Sequence, residues 1–215
     1  MAALSIKNDE WAARLKASGL DSLEALMAFS DGDCKSVHKR GATFRTTLSD
    51  GSVVFIKRDH FTFAKEILKD LLRFRAPAQK TVKERRAFDL VRAAGFTAPE
   101  VIAYGATGRF GLPHQAAMVM LDMQGTPLDA YIKAGHAPED CRLMVSRAEE
   151  TLRRLQEKGF DWPDHKPEHF LVLHDGSIGL VDLERLVQRG SPLGKAKSEA
   201  QLARFRSLLP PAKLN

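Results

Sequence analysis

The run Val53-Val54-Phe55-Ile56-Lys57 is rich in β-forming residues and ends on a cation. A period of two places Val53, Phe55 and Lys57 on one face, so the lysine closes an otherwise apolar stripe. Alone, such a lysine is a strand-end side chain that snorkels to water. Held by a carboxylate on a following helix, it is a point charge suited to gripping phosphate. Glu84, in Lys83-Glu84-Arg85-Arg86, is the candidate carboxylate, and Glu66 is a weaker rival.

A second group starts at Asp164-His165-Lys166-Pro167-Glu168-His169 and resumes, after a short hairpin, at Leu180-Val181-Asp182-Leu183-Glu184-Arg185. Asp164 and Asp182 are 18 residues apart, one before the hairpin and one at its exit, and the fold-back returns both to one edge. One carboxylate can then take a proton from an attacking hydroxyl while the other binds a divalent cation. His169 stands where a second metal ligand is wanted. Singly, each acid reads as a turn or cap carboxylate and the histidine as a packed core residue. Jointly with Lys57, they have the division of labour that phosphoryl transfer needs.

The elements that must position these groups are legible in outline. Trp11, Leu15, Leu20, Leu23, Leu26 and Met27 fall at near-helical spacings, with Asp21 or Ser22 able to cap a second short helix. Ala42–Leu48, the turn at 49–52 and Val53–Lys57 read as an antiparallel hairpin. Helical patterns follow over Phe63–Phe74 and Val82–Ala94, divided by Pro77 and closed by Gly95. Val101–Tyr104 and Ala116–Leu121 are strands, with a glycine-rich turn region expected from Gly105 to Pro113. Helices are expected over Leu128–Ala134 and Pro138–Lys158, then a polar loop, Trp162–His169, leading into the strands Phe170–Leu173 and Ile178–Val181.

With 215 residues the chain can hold one large domain or two small lobes sharing a cleft, and its 44% hydrophobic and 28% charged residues are ordinary for a folded protein. The formal charge of +6 favours an anionic partner without choosing among nucleotide, nucleic acid and lipid surface. No apolar stretch approaches the roughly 18 residues of a membrane helix, and the N-terminus lacks a signal-peptide layout, so a soluble cytosolic protein is expected. Cys34 and Cys141 are too few and too isolated for a disulfide framework or a zinc site.

The ordered set resembles the protein-kinase-like plan with altered letters. Val54-Phe55-Ile56-Lys57 resembles the strand bearing the nucleotide lysine. Asp164–His169 resembles the catalytic loop, with Trp162-Pro163 where protein kinases usually carry His-Arg and His169 in place of their metal-binding asparagine. Asp182-Leu183-Glu184 stands where they have Asp-Phe-Gly. Together with Phe55–His60, Glu66–Leu72 and Val181–Arg185, these departures resemble the bacterial lipopolysaccharide-core sugar kinases, of inner-core heptose kinase or Kdo kinase type, over roughly Lys35 to Leu209.

The resemblance implies an α+β, two-lobed protein-kinase-like fold with a strand-rich N-lobe and a short helical C-lobe. The expected division is a helical extension at 1–34, a nucleotide-binding lobe at 35–121, and a lobe at 122–215 with the catalytic loop and metal-binding hairpin. It implies ATP and Mg²⁺ as cofactors. Lys57 would hold the phosphates with Glu84 as its partner, and Asp164 would orient the acceptor hydroxyl; Lys166, two residues on, matches protein kinases that phosphorylate hydroxyl side chains, where a lysine would neutralise the transferring phosphoryl. His169 and Asp182 would bind the metal. The backbone of Leu121-Asp122-Met123 would meet adenine as the hinge, and the loop Lys39–Thr46, with the single glycine Gly41, would approach phosphate.

About thirty residues follow Asp182, leaving no activation segment. Arg204-Phe205-Arg206 is either a lipid-facing basic patch or ordinary packing. The leading function is ATP-dependent phosphorylation of a heptose, or of Kdo, in the lipopolysaccharide inner core. The enzyme would be cytoplasmic and peripheral to the anionic inner membrane, with a lipid-linked sugar acceptor and no nucleic-acid partner. An atypical Ser/Thr protein kinase and a non-catalytic kinase-like binding module are the alternatives.

Overall fold

The structure, a computed structural model, describes residues 3–72 and 76–210, with Lys69 described by its backbone alone. The chain forms two compact units. The first comprises residues 1–86 and 100–122, and the second residues 87–99 and 123–215. Phe74, at the expected end of one helix, lies outside the described residues.

The first unit is built on a six-stranded antiparallel sheet of order β1-β5-β6-β4-β3-β2. Its strands are β1 (Ser5–Ile6), β2 (Asp33–His38), β3 (Gly41–Thr47), β4 (Val53–Asp59), β5 (Val101–Arg109) and β6 (Leu112–Leu121). Helices α1 (Asp9–Ala17) and α2 (Leu23–Ala28) and the turn between them supply Leu15, Leu20, Leu23 and Leu26 to a core shared with Val54, Ile56, Ile102, Ala117 and Val119. Ser22, not Asp21, caps α2, its side chain accepting from the Ala25 N–H at 3.1 Å. The strict alternation of β4 therefore buries Val54 and Ile56 among these leucines and sends Phe55 and Lys57 to the opposite face.

The expected turn region Gly105–Pro113 is mostly strand. β5 and β6 run into it from either side and meet at a tight turn, Phe110-Gly111, both at positive φ, 53° and 74°. Register irregularities in the β5–β6 pair take up the irregular composition, and Thr107 Oγ1 accepts from the Gln115 N–H across the pair at 3.1 Å.

Two helices complete the unit's chain path: α3 (Ala64–Leu71) and α4 (Lys80–Ala93), the latter passing into the second unit after Arg86. In that unit β7 (Thr126–Pro127) leads into α5 (Leu128–Lys133), and α6 (Pro138–Glu157) follows. Next come β8 (Phe160–Asp161), a 3₁₀ turn at Pro167–His169, β9 (Phe170–Val172), β10 (Ile178–Leu180), β11 (Val187–Gln188) and α7 (Lys195–Ser207). The fully buried side chains Leu128, Ile132, Ala148, Leu152, Leu155, Trp162, Phe170, Leu180, Leu202 and Phe205 form its interior.

Among the described residues no helix is long and apolar enough to cross a membrane. Both cysteines are free, Cys34 exposed and Cys141 buried.

Candidate active site

Lys57 Nζ lies 2.5 Å from Glu84 Oε2, and the glutamate side chain is only 3% exposed. The rival Glu66 is engaged elsewhere, taking a bond from Arg40 Nη1 at 2.9 Å. Four hydrogen bonds fix α4 so that Glu84 meets Lys57. Asp59, two residues beyond Lys57 on the same face of β4, accepts from both the Thr81 N–H and Thr81 Oγ1 at 2.8 Å. Gln79 Nε2 donates to the carbonyls of Thr107 and Gln115 at 2.8 and 3.0 Å, tying the approach to α4 onto β5 and β6. Glu84 is three residues after Thr81, and that spacing keeps it on the docked face of the helix. Neither Asp59 nor Gln79 stands out in the sequence. The only local signal is that Asp59 shares Lys57's strand parity.

Gly41 has a structural reason to be glycine: a Cβ there would lie 2.0 Å from the Arg58 carbonyl oxygen, so β4 approaches too closely for any side chain. The turn before it is held by the Arg40 carbonyl, which accepts from the His60 N–H at 2.5 Å. At the proposed hinge, the Leu121 N–H donates to the Glu100 carbonyl at 2.9 Å and the Asp122 N–H to the Val53 carbonyl at 3.0 Å. Both of these N–H groups are thus used within the sheet. Met123 opens the second unit, where its thioether lies against β10; a Cβ on Gly179 would stand 2.9 Å from Met123 Cε.

In the second unit the loop and hairpin residues converge as their spacing suggested. His169 Nδ1 faces the Asp164 carbonyl oxygen at 2.7 Å, and since that oxygen can only accept, Nδ1 carries the proton. Nε2 faces Asp182 Oδ2 at 3.3 Å, with Glu168 Oε1 at 3.5 Å. The Val181 N–H donates to the His169 carbonyl at 3.0 Å, so the hairpin exit is pinned beside the histidine. Asp182 itself has φ 55°, a conformation costly for a non-glycine residue and typical of functional sites. Asp164 Oδ1 has Arg185 Nη1 at 4.0 Å, and the exposed Lys166 ammonium reaches Glu168 Oε1 at 3.3 Å. Among the described residues no set of three or more His, Cys, Asp or Glu side chains gathers to hold a metal unaided.

A buried polar network that the sequence did not announce holds this loop. Asp161 Oδ2 takes the Arg189 Nε–H at 3.0 Å and bonds from Lys197, while Oδ1 accepts from Gln201 Nε2 at 2.9 Å. Burial pushes the Asp161 carboxyl up, yet the bonds and charges of Lys197 and Arg189 outweigh it and leave the group below the usual carboxylate range. His165, buried, lies between the carbonyls of Trp162 and Gln201, at 2.5 and 2.8 Å from its two ring nitrogens. Helix α7 is therefore a brace for the Asp164–His169 loop. Phe205 is fully buried, Arg204 Nη1 bonds the Pro163 carbonyl at 2.7 Å, and Arg206 pairs with Glu149. Of the two readings of Arg204-Phe205-Arg206, packing is the observed one.

A model of the family described as Lipopolysaccharide kinase (Kdo/WaaP) matches residues 34–209. A search of curated proteins finds no match. Among solved structures, WaaP in complex with acyl carrier protein aligns at TM-score 0.64 and 19% identity, over 94% of this chain and 79% of that one. The pseudokinase domain of BIR2, an immune regulator of the RLK/Pelle family, aligns at TM-score 0.48 and 12% identity, over 91% and 55% of the two chains. The α+β fold is protein-kinase-like. By the extent of the family match, this chain belongs to the Lipopolysaccharide kinase (Kdo/WaaP) family and is an ATP-using phosphotransferase acting on a sugar of the lipopolysaccharide core.

Proposed function

We propose that the chain transfers the γ-phosphoryl of ATP to a hydroxyl of an inner-core heptose, working at the cytoplasmic face of the inner membrane. The observation that carries the chemistry is the pairing of Lys57 with the buried Glu84. A lysine so held has little rotamer freedom left and presents a fixed charge to phosphate oxygens. Asp164 orients the acceptor hydroxyl and accepts its proton. Lys166 balances charge developing on the phosphoryl group in flight.

The residues present fit a divalent cation. With Nδ1 donating to the Asp164 carbonyl, His169 turns Nε2 toward a carboxylate oxygen 3.3 Å away, a facing that calls for a cation or a proton between them. His169 and Asp182 would hold Mg²⁺, which would supply positive charge to offset that of the phosphates. Two protein donors suit an ion that completes its shell with phosphate and water. The Asp164 carbonyl orients the imidazole, so the catalytic loop sets the direction of this ligand as well as carrying the base.

The heptose reading is supported by the likeness of Phe55–His60, Glu66–Leu72 and Val181–Arg185 to heptose kinases. A second reading, Kdo as acceptor, is favoured by Arg185 and Lys166 flanking Asp164, because Kdo brings a carboxylate that these exposed cations would meet. Mass spectrometry of core oligosaccharide from cells with and without this gene tests both. Loss of one phosphate from a heptose supports the first, loss from Kdo the second, and an unchanged core would overturn both.

A further inference from the structure

Helix α3 is amphipathic in the reverse sense to an ordinary surface helix, whose apolar side faces the core. Its two acids point into the first unit. Asp70 is only 8% exposed and takes a bond from Lys83 Nζ at 2.5 Å, and Glu66 is held by Arg40 at 2.9 Å. Its leucines, with Leu72 at its C-cap, point out: Leu68 is 57% exposed, Leu71 53% and Leu72 72%. Just ahead of the helix, Phe61 is also partly exposed and sits edge-to-face on Phe63 at 5.1 Å, with Lys65 Nζ 5.5 Å from the Phe63 ring. Three leucines in adjoining positions make a patch whose burial in water-free surroundings would be favourable, and nothing among the described residues covers it.

We propose that this face is the membrane-contact surface of the enzyme. The leucines enter the headgroup–acyl boundary of an anionic bilayer, and Lys65 stays among the phosphates. The charge arrangement selects the occupant. Both acids on the helix are neutralised from within the unit, so no carboxylate on the outward side opposes anionic lipid, and the chain as a whole carries +6. The exposed leucines also offer no hydrogen-bonding group by which a protein partner could be held in register, whereas a bilayer requires none. The inference rests on the reading that the acceptor is a lipid-anchored sugar, because docking at the bilayer brings the enzyme to its substrate.

The test uses the full chain, with vesicles of phosphatidylethanolamine plus phosphatidylglycerol against vesicles of phosphatidylcholine. The wild-type protein is expected to sediment with the anionic vesicles and only weakly with the neutral ones. Leu68→Asp/Leu71→Asp should lower that partitioning by about tenfold or more. Lys65→Glu should lower it less and make it less sensitive to salt. Both substitutions are at exposed positions, and urea unfolding midpoints equal to wild type would establish that the variants are folded. Phosphoryl transfer to lipid-free core oligosaccharide should be unchanged in the double variant, and transfer to the same acceptor on its lipid in vesicles should fall.

Wild-type protein that ignores anionic vesicles, or a double variant that partitions like wild type, overturns the proposal. A concentration-dependent dimer that the leucine substitutions abolish would give the face to a second copy and overturn it too. If wild type binds vesicles yet transfers phosphate to neither acceptor, it is the kinase reading that fails, not the surface.

Discussion

Replacing Asp59 probes how the sheet aims α4. Its carboxylate is 7% exposed at the side chain and accepts two bonds from Thr81, one backbone and one hydroxyl, at 2.8 Å each. Hydrogen bonds to a charged acceptor contribute about 1.5–3 kcal/mol each, and measured losses of helix caps run to about 2 kcal/mol. Asp59→Ala removes both bonds, leaves the Thr81 donors buried, and also withdraws the carboxylate 4.0 Å from Arg40. A loss of about 3 kcal/mol is expected, large against a typical total of about 5–15 kcal/mol but compatible with a folded protein. Asp59→Asn keeps an acceptor for the N–H and should lose about 1 kcal/mol.

Because α4 carries Glu84, loosening its first turn should also release Lys57. ATP affinity should fall about tenfold in Asp59→Ala, equivalent to about 1.4 kcal/mol. Urea unfolding and calorimetric ATP titration read the two effects separately. Thr81→Val removes only the hydroxyl bond, so its effect should vanish in the Asp59→Ala background. Full stability and unchanged ATP affinity in Asp59→Ala would refute the idea that this cap positions the lysine–glutamate pair.

If Lys57 holds phosphate as proposed, Lys57→Ala should leave the fold intact and lower kcat/KM for ATP by about 100-fold or more, since the lysine does not fill the core; steady-state kinetics with a thermal melt checks this, and wild-type rates would remove Lys57 from the site. Asp164→Asn should abolish transfer with nucleotide affinity nearly unchanged, read by single-turnover kinetics beside ATP titration; equal loss of ATP binding would make Asp164 a metal ligand instead. His169→Asn should retain part of the activity and shift metal preference from Mn²⁺ toward Mg²⁺, because an amide oxygen replaces an imidazole nitrogen, while Asp182→Asn should be close to inactive; an unaltered metal preference would make His169 a packed histidine. The Asp161 carboxyl is depressed, so its contribution to stability is present above its unfolded value of about 3.9 and lost as pH falls through the still lower folded value. Asp161→Asn should therefore destabilise at pH 7, with the gap to wild type closing as unfolding is measured at progressively lower pH.

Several features of this protein are local and were fixed by neighbouring residues. The alternation of Val53–Lys57 determined which side of β4 would meet the leucine-bearing helices and which would carry the lysine. Glu84 as the partner of that lysine, and the approach of His169 to Asp182 around a short hairpin, followed from order and spacing. Other features depend on which surfaces come together. Nothing in the composition of Gly105–Pro113 says that a glycine-rich stretch will run as strand, because paired neighbours and register irregularities decide it.

Asp59 became the anchor of α4, and Asp161 the centre of the network bracing the Asp164–His169 loop, only because helices distant in sequence brought Thr81, Lys197 and Gln201 to buried carboxylates. The polarity of α3 was decided the same way. Its sequence has an apolar and a charged side, and a helix so patterned would ordinarily bury the apolar one. Arg40 and Lys83 instead draw Glu66 and Asp70 inward, and the leucines are left facing out. Periodicity fixes which residues share a face; which face turns inward is set by the partners waiting on the rest of the chain.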